Sequence, residues 1–232
     1  MRGLFITGTD TGVGKTHIAC EIVRELRTAG HRVGAFKPVC SGATLDAAGH
    51  PLWDDLERLR DALGRDVSDD QLCPQRFVAP LAPPVAARLE GQRIDLDAIQ
   101  RGLDRWRTEC DIVIVEGAGG LLCPVTEYQT MADLAAQFGF PVLIVARLGL
   151  GTINHTLLTV EVARQRGLPL AGIAFNEPLP ATTDASSATN AAEVAVRCDV
   201  PVVAIRWYNS QGWLSRFGQA TQLDWWALAG VP

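Results

Sequence analysis

Six runs of continuous apolar residues recur along the chain, at Leu4 to Thr7, Val33 to Phe36, Ile112 to Val115, Val142 to Ala146, Leu170 to Phe175 and Val202 to Ile205. They lack polar alternation, which is the pattern of strands buried on both faces. Between most of them the spacing turns helical. From Lys15, the residues Ile18, Ala19, Ile22, Val23 and Leu26 share one face while Glu21, Arg24, Glu25 and Thr28 fall opposite, and Gly30 supplies a stop. Further helices are predicted at about 54–63, 95–107, 130–137, 153–166 and 186–197. Strands alternating with helices predict an α/β fold: a doubly wound, mostly parallel sheet flanked by helices in three α/β/α layers.

Two stretches show neither period. Cys73 to Pro84 carries four prolines and Pro178 to Asn190 is rich in Ala, Ser and Thr, so both are expected to be surface loops inserted near a site. A length of 232 residues with 47% hydrophobic and 20% charged residues suits a single globular domain over 1–232. The segment 207–232 is harder to read. It holds Trp207, Trp213, Trp225 and Trp226, and nothing basic follows Arg216, so core packing or a partner subunit is expected rather than a membrane.

A formal net charge of −5 provides no positive field for a nucleic-acid backbone or an anionic membrane. The N-terminal apolar run is broken by Gly8, too short for a signal-peptide core, and no run reaches the ~18 apolar residues of a membrane span. The six cysteines form no C-x-x-C pair and read as reduced thiols. A cytoplasmic protein acting on small molecules is expected. Of the 21 basic residues 19 are arginine, leaving Lys15 and Lys37 as the sole lysines. An ammonium is a compact point charge that a planar guanidinium does not replace in a tight site, which singles out both positions.

Their neighbours carry chemistry. Gly8-Thr9-Asp10-Thr11-Gly12-Val13-Gly14-Lys15-Thr16 lies between a predicted strand and a predicted helix. Glycines there turn consecutive N–H groups toward an anion, Lys15 reaches the β and γ phosphates, and the Thr16 hydroxyl ligates magnesium. Thr9 stands where the strict phosphate-loop pattern has its first glycine. Glu116, at the end of the strand Ile112 to Val115 and followed by Gly117-Ala118-Gly119-Gly120, is a second magnesium candidate. Lys37 ends the second predicted strand, which puts it on the same rim as Lys15 in a parallel sheet. Asp54, with Asp55 beside it, begins a helix and is a third metal candidate or a simple N-cap. Thr152, Ile153, Asn154 and His155 open a helix after Gly151, where a carboxylate is held or the helix merely capped.

Together, from about residue 3 to 176, these motifs resemble the dethiobiotin synthetase family. Its phosphate loop T-G-T-D-T-x-V-G-K-T is matched by residues 7 to 16, K-P-V-x-S-G by 37 to 42, V-E-G-A-G-G by 115 to 120, and L-G-x-I-N-H by Gly151 to His155, with Asn176 as the adenine-reading Asn. The resemblance implies an ATP-dependent cyclo-ligase that forms the ureido ring of dethiobiotin from 7,8-diaminononanoate and CO2, through a carbamate and a carbamic-phosphoric anhydride. It further implies ATP held by Gly12, Val13, Gly14, Lys15, Thr16, His17, Asp54, Glu116, Gly117, Ala118, Gly119, Asn176 and Glu177. Magnesium would sit among Thr16, Asp54 and Glu116, with Lys15 and Lys37 catalytic. Substrate would touch Thr11, Lys37 and Ser41, and the Thr152, Ile153, Asn154 helix start would hold its carboxylate across a homodimer interface. After residue 176 the chain departs from the family: Ile205-Arg206-Trp207 lacks the proline expected there. The alternatives are a partner-regulated switch ATPase of the partitioning and cell-division type, whose extra phosphate-loop lysine is replaced here by Asp10, and a non-enzymatic nucleotide-binding protein.

Overall fold

A computed structural model describes residues 1–177, 184, 186–206, 212–214 and 219–230. The first apolar run becomes β1 (Arg2–Gly8), and the loop after it opens α1 (Lys15–Thr28), whose apolar face packs on the sheet. Then come β2 (Val33–Phe36), β3 (Val39–Ser41), a small hairpin of β4 (Thr44–Leu45) and β5 (Pro51–Leu52), and α2 (Asp54–Leu63). α3 (Asp69–Leu72), β6 (Gln75–Phe77), α4 (Pro83–Leu89) and α5 (Leu96–Glu109) lead to β7 (Ile112–Gly120). α6 (Met131–Phe138), β8 (Val142–Arg147), α7 (Thr152–Gln165), β9 (Leu170–Asn176), α8 (Ser187–Arg197) and β10 (Val202–Arg206) complete the alternation. β11 (Trp213–Leu214), β12 (Ala220–Thr221) and α9 (Trp225–Leu228) follow.

Among the described residues the main sheet runs β12-β11-β10-β9-β8-β1-β7-β2. The strands from β10 to β2 are parallel, and β11 and β12 add antiparallel pairs at one edge. Leu4, Phe5, Ile6, Val113, Ile144 and Ile173 are all fully buried, so consecutive residues on neighbouring strands are covered on both faces, as the unbroken apolar runs require. The chain leaves β1 for β2 at the edge, returns to lay β7 between them, and then starts β8 on the other side of β1. A crevice opens beyond the carboxyl ends of the strands at such a reversal. Phe5 is in register with Val115 and Val142, and Ile6 with Glu116, so β7 delivers Glu116 to the rim beside the phosphate loop.

One expectation changes. The stretch Cys73 to Pro84 is not simply a surface loop: β6 pairs with β3 in parallel, and Cys73 and Phe77 are buried, with the Trp53 indole donating to the Phe77 carbonyl at 3.0 Å. Strands of three residues are too short for a hydrophobic period to reveal. The tryptophan-rich end packs as core where it is described. Trp213 and Trp225 are buried edge to face, with centroids 5.3 Å apart, and both indoles donate to Glu25 on α1. Trp226 stacks on His31 at 4.3 Å with the Arg2 guanidinium over its ring at 4.9 Å. Trp207 and most of the loop from Pro178 lie outside the described residues. No helix among the described residues is long and apolar enough to cross a membrane.

Candidate active site

The loop between β1 and α1 is shaped by Gly12 and Gly14, at φ 73° and 96°, values in the left-handed region that favours glycine. Gly14 has a second reason: a Cβ there would lie 2.1 Å from Asn176 Nδ2, because the Asn176 side chain donates to the Val13 carbonyl at 2.9 Å and ties the end of β9 to the loop. Gly14 is the N-cap of α1 and no side chain caps that terminus. The first amides of a helix then serve an anion. Lys15 curls back so that its ammonium donates to the Asp10 carbonyl at 3.0 Å.

The second lysine lies beside the first. Lys37 follows β2 directly, its backbone N–H fixed to the Leu72 carbonyl at 2.8 Å, and its ammonium meets Glu116 Oε1 at 2.8 Å and Asp55 Oδ2. The Thr16 hydroxyl is 2.7 Å from Asp55 Oδ1 and 2.8 Å from Glu116 Oε1. A hydroxyl has one proton, so it donates to one of these carboxylates at a time. Glu116 is 1% exposed, and its Oε2 is buried with no hydrogen-bond partner among the described residues. Three oxygen-bearing side chains thus converge with one oxygen to spare, a donor set suited to a hard dication such as magnesium.

The charges here depend on one another. Burial lowers Lys15 below the ordinary lysine value; Glu116 opposes that shift and Lys37 adds to it. Burial would lower Lys37 as well, but Glu116 and then Asp55 outweigh it and hold the ammonium above its ordinary value. Burial would raise Asp55, and the Lys37 ammonium reverses this and keeps the carboxyl low.

One assignment is corrected. Asp54 does not enter the cluster: its side chain is 79% exposed and reaches only Arg58, at 3.7 Å, while Asp55 turns inward. The cause is helical phase. Asp55, Leu59 and Ala62 lie on one stripe of α2, and Leu59 and Ala62 are buried; Asp54 and Asp61 lie on the next and are exposed. The same stripe is written in the sequence and would have chosen between the two.

A cleft of about 940 Å³ gathers Thr11, Gly12, Gly14, Lys15, Thr16, His17, Lys37, Ser41, Asp55, Glu116, Ala118, Gly119, Asn176 and Glu177 on its walls. Val13 and Gly117 are buried behind it, Gly117 against Phe5. The Ser41 hydroxyl donates to the Leu81 carbonyl at 2.7 Å, which fixes a wall formed by Pro80, Leu81, Ala82 and Pro83, part of the proline-rich stretch expected near a site but not assigned there residue by residue. Arg58, Cys40 and Cys123 also line the cleft. Thr152, Ile153 and Asn154 are not brought into it. They open α7 beside the outer side of the phosphate loop, where Thr152 and His155 share a small cavity with Thr9, Asp10, Thr11 and Arg147. The hydroxyls of Thr152 and Thr156, one turn apart on α7, are buried without hydrogen-bond partners among the described residues.

The AAA domain family matches residues 2–208. The ATP-dependent dethiobiotin synthetase BioD of Anaeromyxobacter dehalogenans is 52% identical over 195 residues, covering 84% of this chain and 85% of the relative. Its namesake from Caulobacter vibrioides is 44% identical over 78% of this chain and 82% of the relative. That from Rhodopirellula baltica is 39% identical over 86% and 82%. Among solved structures, the MinC:MinD cell division protein complex of Aquifex aeolicus is similar with a TM-score of 0.53 at 14% identity, over 88% of this chain and 81% of that one. The septum site-determining protein MinD with Mg-ADP from Pyrococcus horikoshii gives 0.52 at 15%, over 93% and 81%. These two likenesses speak for the fold alone: a doubly wound, mostly parallel sheet flanked by helices. With identities of this size spread over most of its length, the chain belongs to the ATP-dependent dethiobiotin synthetase family.

Proposed function

We propose that the cleft closes the ureido ring of dethiobiotin, joining 7,8-diaminononanoate and CO2 at the expense of ATP and releasing ADP and phosphate. One amine captures CO2 as a carbamate, a carbamate oxygen attacks the γ-phosphate, and the second amine displaces phosphate from the resulting carbamic-phosphoric anhydride. No step needs a covalent bond to the protein, so its task is positioning and positive charge. The observation that carries this reading is that the chain's sole two lysines line one cleft at the phosphate loop, with Lys37 paired to Glu116 there.

The amides of Gly12 to Thr16 and the α1 terminus cradle the phosphates, and Lys15 neutralises charge growing on the γ-phosphoryl oxygens. Lys37 stabilises the carbamate and its approach to phosphorus. Magnesium, held by Thr16, Asp55 and Glu116, supplies further neutralisation of the triphosphate when bound. Asn176, with one amide N–H committed to Val13, retains its carbonyl oxygen and second N–H for the adenine edge. Thr11 and Ser41 contact substrate. The Thr152, Ile153, Asn154 terminus lies outside the chain's own cleft, and this supports a homodimer in which it holds the substrate carboxylate for the partner subunit. The chemistry belongs to the cytoplasm, with no nucleic-acid or membrane partner.

ATP turnover measured with and without diaminononanoate and bicarbonate, with mass detection of the cyclic product, tests the reading. Turnover is expected to rise with both present and to yield one cyclic urea per ADP. An ATPase rate that ignores both compounds would instead describe a timer, and nucleotide binding without turnover a non-enzymatic binder.

A further inference from the structure

Lys37 cannot do both of the things its surroundings ask of it at once. Lys37 is 4% exposed, its ammonium is held by Glu116 Oε1 and Asp55 Oδ2, and these carboxylates form the oxygen cluster with Thr16. Glu116 Oε1 is itself shared, lying 2.8 Å from both Lys37 Nζ and the Thr16 hydroxyl. A dication bound by Thr16, Asp55 and Glu116 therefore meets an ammonium already seated on its ligands. In a buried site of low effective dielectric, two cations at contact distance repel strongly. Lys37 also lines the cleft, as do Cys40, Ser41 and Leu81. Its backbone is pinned to Leu72, so any change of partner falls to its four-carbon side chain.

We propose that Lys37 and the divalent cation exchange on the Asp55 and Glu116 carboxylates, so that Lys37 is parked there before loading and is delivered to the substrate side of the cleft when the metal arrives. The inference rests on the magnesium site proposed above. It orders the reaction: the lysine that stabilises the carbamate becomes available only in a cleft already charged with metal. The rival arrangement keeps Lys37 on Oε1 of Glu116 and gives the metal the unpartnered Oε2.

The composition of the chain makes the test direct, since Lys37 and Lys15 are its sole lysines. Full-length wild-type protein is labelled with a small amine-reactive reagent, metal-free and with Mn2+ alone, and both sites are read by peptide mass spectrometry. Exchange expects Lys37 labelling to rise severalfold with Mn2+; labelling that stays flat or falls supports the rival and overturns the proposal. In parallel, Mn2+ binding is followed by electron paramagnetic resonance in wild type and Lys37→Met. Removing the competitor is expected to tighten Mn2+ by about tenfold or more, and a gain below about threefold overturns exchange. If the substitution unfolds the chain, the wild-type labelling still decides. Wild type with Mn2+ and a non-hydrolysable ATP analogue separates the two readings: no bound Mn2+ there removes the metal site itself, whereas bound Mn2+ with unresponsive Lys37 removes only the exchange.

Discussion

Ten residues down α1 from Lys15, roughly 15 Å along the helix at its usual rise, Glu25 is treated very differently from Glu116. Glu25 gives one oxygen to the Trp213 indole and the other to the Trp225 indole, the latter at 2.7 Å. Glu116 is the more deeply buried, divides one oxygen between Lys37 and Thr16, and leaves the other with no partner. A buried acceptor without a partner costs about 1–3 kcal/mol. The contrast distinguishes a staple from a site. Where a carboxylate serves stability the fold saturates it, and where it serves a ligand the fold leaves one oxygen waiting.

The largest effect expected to sharpen this contrast is at Lys37. Lys37→Gln is expected to lower turnover by about 10²–10³, by analogy with the loss of one preorganised donor, in ATP-dependent product formation on protein whose fold is checked by circular dichroism. Lys37→Arg is expected to do the same, because the guanidinium fork does not imitate a point charge in a close-packed site. Near-normal turnover in Lys37→Arg would remove the role given to Lys37. Asp55 and Asp54 come next. Asp55→Asn is expected to cost about 10² in turnover, whereas Asp54→Asn, on an exposed side chain, is expected to stay within about twofold. The reverse ranking would return the metal site to Asp54.

On the staple side the effect moves from rate to stability. Glu25→Ala strands two indole N–H groups and is expected to cost about 2 kcal/mol, a fall of about 4–8 °C in the melting midpoint. Turnover per folded molecule at a temperature below both transitions is expected to be unchanged. A Glu25→Ala enzyme that melts normally but turns over like Lys37→Gln would break the distinction between the two carboxylates.

Whether a region could be read from sequence depended on how far away its partners were. The phosphate loop is nine consecutive residues with its own geometry, and Lys37 is placed by the strand just before it, so both were visible in the pattern. The six parallel strands were equally plain because each is buried on both faces and never alternates. Glu25 reads as one more polar residue on the outer face of α1, since its indole partners lie 188 and 200 residues away. Asp54 and Asp55 differ only in helical phase, a distinction carried by Leu59 and Ala62. The wall at Pro80 to Pro83 depends on a three-residue pairing of β3 with β6 that leaves no period to detect.

A third carboxylate extends the contrast with the smallest effect. Asp133 in the first turn of α6 accepts from both the Thr130 backbone N–H and the Thr130 hydroxyl at 2.7 Å, and its other oxygen meets Arg166 at 2.8 Å. Both oxygens are engaged, so it belongs with Glu25. The Thr130 amide is the main reason its carboxyl is held below the ordinary value of 3.8; burial opposes it, and the Thr130 hydroxyl and Arg166 add to the lowering. The exposed Arg166 pair contributes little to stability and the cap most of it, so Asp133→Ala is expected to cost about 1 kcal/mol at pH 7, some 2–4 °C. A carboxyl whose folded value lies below its unfolded value stabilises fully above the unfolded value and loses that contribution as pH falls through the folded one. Melting curves of wild type and Asp133→Ala should therefore lie apart at pH 7 and converge as pH is lowered from about 5 toward 3. A gap that persisted undiminished at the acid end would mean that the Asp133 side chain supports α6 by packing rather than by charge, and that full satisfaction of a carboxylate is not by itself the mark of a staple.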